Sequence, residues 1–117
     1  MDNTIKNSNI PIPDLQYLKQ MIGDDQEVLK EVLTIFIEEM PTMLKNLRES
    51  SESRDHDRLK SISHTMITEL STLGITSVLN DVKAINKGSR EMRDMDETVD
   101  RIIRAVTFSI EYFKTLI

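Results

Sequence analysis

Two histidines, His56 and His64, are the only side chains in this chain whose ordinary pKa lies near neutrality, and there is no cysteine. Thiolate chemistry, disulfides and zinc–thiolate sites are therefore excluded. His64 stands inside the stretch "SISHTMITELSTLG", residues 61–74. A neutral imidazole nitrogen can act as a nucleophile, as a proton carrier or as a metal ligand. The metal reading lacks spacing. No second histidine lies three or four residues from His64, and the carboxylates Glu38 and Glu39 have no ligand partner in sequence. No metal site is expected. A Ser–His–Asp reading lacks a nucleophile elbow and an oxyanion loop. His56 falls at the start of the same segment among charges and reads as a solvated residue.

The chemistry left to His64 depends on what carries it. The chain has 117 residues, 38% apolar and 30% charged, with aromatics at 4% and three residues each of Gly and Pro. This composition fits one domain with an aliphatic core, as in helical bundles. The net charge of −5 argues against nucleic acid, because phosphate contacts need a basic face, and against anionic membrane surfaces. No run of about 18 apolar residues is present to insert into a membrane. The opening "MDNTIKNSNIPIP" is polar and unlike a signal peptide. The expected location is cytoplasmic.

Residues 1–13 read as a flexible lead-in and residues 14–117 as the folded domain. Asp14 can cap a short helix, "LQYLKQMI", stopped by Gly23. Asp24 or Asp25 then caps a long helix to about Glu49. Its apolar stripe is Leu29, Val32, Leu33, Phe36, Met40, Met43, Leu44 and Leu47. Pro41 interrupts this stretch, so a kink or break is expected there. A third helix runs from about Asp55 to Leu73, punctuated by Gly74. A fourth covers "ITSVLNDVKAIN", with Gly88 as its expected C-cap. The fifth carries Met95, Val99, Ile102, Val106, Ile110, Phe113 and Leu116. No strand-like alternation is found. The expected fold is all-α: an antiparallel four-helix bundle with a short accessory N-terminal helix.

At about 100° per residue, Leu59, Ile62, Met66, Leu70 and Leu73 of the third helix fall within roughly 60° of one another. That is the core face. His64 falls about 150° from its centre and is expected to point to solvent, with Asp57, Lys60, Thr68 and Ser71 nearby. Ile67 lies on the shoulder between the two faces.

In this setting "DLQYLKQMIGDDQEVLKEVLTIFIEEMPTMLKNLRES" followed by "DHDRLKSISHTMITELSTLGITSVLNDVKAIN" resembles a histidine-containing phosphotransfer (HPt) domain. The resemblance covers about residues 14–116. It rests on the opening Leu–x–x–Leu helix with "GDD", the Phe36 helix, Ser63 before His64, "LG" after it, and a following helix of the "L...V..I" type. Such domains are four-helix bundles that carry phosphoryl groups between receiver domains of two-component relays. The family usually has Lys three residues after the histidine and Gly one further on. Here those places hold Ile67 and Thr68, and Glu69 follows.

The resemblance implies a non-enzymatic phosphocarrier with His64 as phosphoacceptor. Lys60, Thr68 and Ser71 would line the phosphoryl position, with Lys60 in part replacing the family lysine. Ile67 and Asp57 would contact the partner. The chain itself would need no cofactor, since the receiver brings its own aspartate and Mg2+. The implied partners are response-regulator receiver domains, with a hybrid sensor histidine kinase as a further candidate, and the expected state is a monomer. Two other readings stand beside it. One is a degenerate HPt-like domain that binds receivers without efficient transfer. The other is a helical adaptor or dimerisation module in which His64 is incidental.

Overall fold

The computed structural model describes residues 9–117, and among them it contains five α-helices and no strand. These are α1 (Gln16–Ile22), α2 (Gln26–Glu52), α3 (His56–Thr72), α4 (Leu79–Gly88) and α5 (Met95–Lys114), with a single 3-10 turn, Ser89–Glu91, after α4. None of the described helices is long and apolar enough to cross a membrane.

The helix starts are set by aspartates. The Asp25 carboxylate accepts from the amides of Glu27 (3.0 Å) and Val28 (3.2 Å), and Asp55 accepts from Arg58 (3.2 Å). Each supplies an acceptor to first-turn amides that have no partner within the helix. Ahead of α1, Asp14 does the same for Gln16 at 3.0 Å. The ends of α2 and α3 share one device, a pair of reversed hydrogen bonds closed by a residue with positive φ. After α3 the amide of Ile75 donates to Leu70 O (2.9 Å) and that of Gly74 to Ser71 O (3.3 Å), with Gly74 at φ 68°. After α2 the same bonds run from Asp55 to Ser50 and from Arg54 to Ser51, with Arg54 at φ 55°.

The core is built by one face of each long helix. Leu33, Phe36, Met40, Leu44 and Leu47 come from α2; Leu59, Met66 and Leu70 from α3; Val82 and Ile85 from α4; Val99, Ile102, Val106 and Phe113 from α5. Phe36 and Phe113 meet edge to face at 5.5 Å, the arrangement favoured by ring quadrupoles. Since Arg48 of α2 also pairs with Asp100 near the start of α5, these two helices run in opposite directions. Arg58 at the start of α3 reaches Asn46 late in α2 (3.0 Å), while Leu73 lies beside Phe36, so α2 and α3 are opposed as well. Arg101 of α5 holds Asp81 of α4 through two bonds, at 3.0 and 3.2 Å. The most extensive helix pairing is that of α3 with α4.

Four details differ from the reading of the sequence. Pro41 does not break α2, which is helical without interruption through Glu52. Pro41 is exposed, so the amide–carbonyl bond it removes is on the water side, while buried Met40 and Leu44 hold the chain on either side. The fourth helix begins at Leu79 rather than Ile75; Ile75 and Val78 are buried from the connecting turn instead. Gly88 is not a positive-φ cap: it is the last residue of α4 at φ −162°, and the chain passes directly into the 3-10 turn. Leu116 lies beyond α5 and is 46% exposed, one turn past the last buried side chain, Phe113. Of the expected lead-in, residues 1–8 lie outside the described residues; Ile10 is half-buried against the core and Pro13 is buried.

The segment before α1 is also tied through the backbone of Asp14. The amide of Asp14 donates to Gly74 O at 3.1 Å, and a Cβ on Gly74 would stand 1.7 Å from Asp14 O. Gly74 thus satisfies two demands, positive φ and backbone-to-backbone contact. Gly23 has a similar φ, 72°, with nothing within 4 Å of the Cβ position. Gly23→Ala should therefore cost only the left-handed backbone penalty, about 1–2 kcal/mol. Gly74→Ala should cost measurably more in urea unfolding, because Asp14 must also move. Equal losses in the two variants would show that the Asp14 contact contributes nothing.

Candidate functional site

His64 sits at the centre of the 17-residue α3 and is exposed. On the opposite side of the helix Leu59, Met66 and Leu70 are fully buried. The preceding residue, Ser63, is also fully buried, and its hydroxyl donates to Lys60 O at 3.1 Å. A small side chain that satisfies its own polar atom lets the helix be buried right up to His64 without an orphaned group.

A shallow hollow opens beside the imidazole, lined by Asp57, Lys60, Ser61 and Thr65 of α3 and by Asn86 of α4. Asn86 donates its side-chain amide to Lys60 O at 3.0 Å. That carbonyl already takes the Ser63 hydroxyl and lies one turn before His64. The turn bearing Lys60 and His64 is thereby tied to the neighbouring helix. Nothing in the sequence marks Asn86: a polar residue late in an amphipathic helix has no distinguishing pattern, and its role exists only through the pairing of α3 with α4.

The hollow gathers His64, Lys60 and Asp57, three of the residues singled out in sequence. Thr68 lines a different surface, the groove between α2 and α3, and Ser71 is exposed and lines neither. Ile67 is half-buried and packs against the core cluster. His56 differs from its reading as a solvated residue. It is half-buried, with Nδ1 2.8 Å from the Ser89 hydroxyl, because the turn after α4 brings Ser89 against the start of α3. Around it a second hollow, lined by Lys87 and Arg90 among others, merges with the first through Asp57, Lys60 and Asn86. Among the described residues no group of three or more His, Asp or Glu side chains is placed to hold a metal ion.

The electrostatics change across α3. The hollow side carries the Lys60 ammonium and the Asp57 carboxylate beside His64. The groove on the α2 side has apolar walls, Val32, Ile35, Phe36 and Leu73, and two carboxylates, Glu39 and Glu69. Partial burial pushes the Glu69 carboxyl above its ordinary value, and the negative charge of Glu39 adds to the rise. A carboxyl whose folded pKa is raised binds more protons folded than unfolded just above its ordinary range, so its contribution to stability falls as pH rises through that window. Glu69→Gln should accordingly melt higher than the parent at neutral pH. The gap should close as the pH falls below the ordinary carboxylate range. A lower melting point at neutral pH would contradict the direction of the shift.

No family model matches this chain, and neither a curated protein nor a solved structure matches it.

Proposed function

We propose that α2–α5 form an antiparallel four-helix bundle of the HPt kind and that the chain is a phosphocarrier, with His64 accepting a phosphoryl group from a receiver aspartate and passing it to another. The observation that carries this reading is the presentation of His64: a single exposed imidazole at the centre of a rigid helix, opposite a fully buried stripe, with a lysine in the same hollow.

The chemistry asks little else of the carrier. The lone pair of a neutral imidazole nitrogen forms the N–P bond as the P–O bond to the receiver's carboxylate breaks. Phosphoryl transfer depends mainly on positioning and on neutralising charge over the phosphoryl oxygens. Lys60 supplies a cation on the same helical face, one turn before His64. Mg2+ and the aspartate belong to the receiver. The shallow hollow leaves the nitrogen open for a partner to cover.

One observation favours the degenerate variant of this reading. Ile67 takes the place of the lysine usual in the family and is half-buried, so no cation stands one turn after His64. A carrier whose lysine stands one turn before His64 instead of one turn after it would bind receivers and transfer slowly.

The direct test is incubation with a receiver charged by acetyl phosphate, read on a phosphate-affinity gel. His64→Gln should abolish acceptance while stability stays within about 0.5 kcal/mol, since an exposed side chain is replaced. Phosphate retained in that variant and lost in His56→Gln would move the acceptor to His56; no acceptance by the parent protein would leave the degenerate receiver-binding domain and the adaptor, which receiver binding then separates.

Ile67→Lys separates the two variants of the proposal. A restored charged hydrogen bond contributes about 1.5–3 kcal/mol, so a several-fold faster transfer at unchanged receiver affinity is expected of a working site. Weaker receiver binding with no gain in rate would make Ile67 an apolar docking contact instead.

A further inference from the structure

The groove between α2 and α3 has features that phosphoryl transfer at His64 does not use. Its floor is formed by nearly buried Phe36 and Leu73, and its rim by Ile35, an isoleucine that is 54% exposed. Its volume of about 190 Å³ is below the roughly 300–1,000 Å³ of small-molecule sites, which points to an occupant the size of one or two side chains.

The groove is also acidic without compensation. Glu39 and Glu69 both line it, and the Glu69 carboxyl is raised first by its partial burial and further by the charge of Glu39. Among the described residues no lysine, arginine or histidine comes within ion-pair distance of either. Elsewhere several carboxylates between elements are matched: Asp100 with Arg48, Asp81 with Arg101, Glu49 with Arg58. The helices around Glu39 and Glu69 offer no cation either, since the positions three and four residues away hold Ile35, Phe36, Thr42, Met43, Thr65, Met66, Thr72 and Leu73.

We propose that this groove docks a partner protein that presents a basic residue beside an apolar one. The apolar side chain would rest on Val32, Ile35 and Phe36, with the cation between Glu39 and Glu69. Charge complementarity selects this occupant over a purely apolar segment, because an apolar cover would desolvate two like charges and leave them unpaired. A cation removes that cost and gains charged hydrogen bonds. The inference goes beyond the phosphocarrier reading: it concerns binding alone and holds equally for an adaptor.

The test uses a capped six-residue peptide of alternating leucine and arginine, titrated into the isotope-labelled full chain and followed by amide chemical shifts. Two further peptides carry serine for leucine, or glutamine for arginine. Shifts should centre on residues 32–39 and 68–73, and each altered peptide should bind at least about threefold more weakly. The double variant Glu39→Gln with Glu69→Gln should lose at least about fivefold in affinity, whereas Glu52→Gln, the same kind of charge change at the far end of α2, should lose less than about twofold. A melting curve checks that the double variant is folded. Shifts centred elsewhere, an equal effect of Glu52→Gln, or undiminished binding of either altered peptide would overturn the proposal. None of these outcomes reports on phosphoryl acceptance at His64.

Discussion

The rotation of α3 about its own axis is the constraint on which the rest depends. Leu59, Met66 and Leu70 are fully buried, and each lies at helical spacing from the next. Burying them contributes about 1.5–3 kcal/mol per side chain, so a rotated helix would lose several times that amount. With the rotation set, the two flanks of α3 acquire their characters. His64 and Lys60 turn toward α4 and solvent, while Glu69 and Thr68 turn toward α2. A single hydrophobic stripe therefore determines both the exposed imidazole and the acidic groove.

This stripe was legible in the sequence because it is a local property. Period 3.6 among apolar residues places His64 outward without knowledge of any other helix, and the aspartate starts at Asp25 and Asp55 are local as well. What the sequence hid is what one helix does to another. Asn86 gains its place at the site through Lys60 O, and His56 is half-buried by its contact with Ser89 on a distant turn. The Glu39–Glu69 juxtaposition crosses two helices and has no signature in either. Pro41 misled for a related reason: local rules count the bond it removes, whereas buried Met40 and Leu44 decide whether the helix survives.

The two surfaces flanking α3 differ in charge, one mixed and one acidic, and this bears on how a partner would approach. A protein covering His64 would meet Lys60 beside Asp57, with Lys87, Arg90 and Glu91 at the adjoining hollow. Extending its contact across the helix, it would reach apolar walls and uncompensated carboxylates. A face whose cations lie on one flank only fixes the orientation of an approaching partner more strongly than a uniform surface, because a reversed approach sets its acidic groups against Glu39 and Glu69.

The Asp14–Gly74 contact has a consequence for the order in which the chain assembles. The helices are joined mostly by short turns, so their pairings close small loops and carry little entropic cost. Asp14 and Gly74 are separated by two long helices, and the acceptor carbonyl belongs to the turn that the reversed bonds at the end of α3 close. The segment ahead of α1 is thus latched after the hairpin of α2 and α3 exists. Opening it would break none of the hairpin's own hydrogen bonds, but it would expose Leu15 and Leu18 of the shared core.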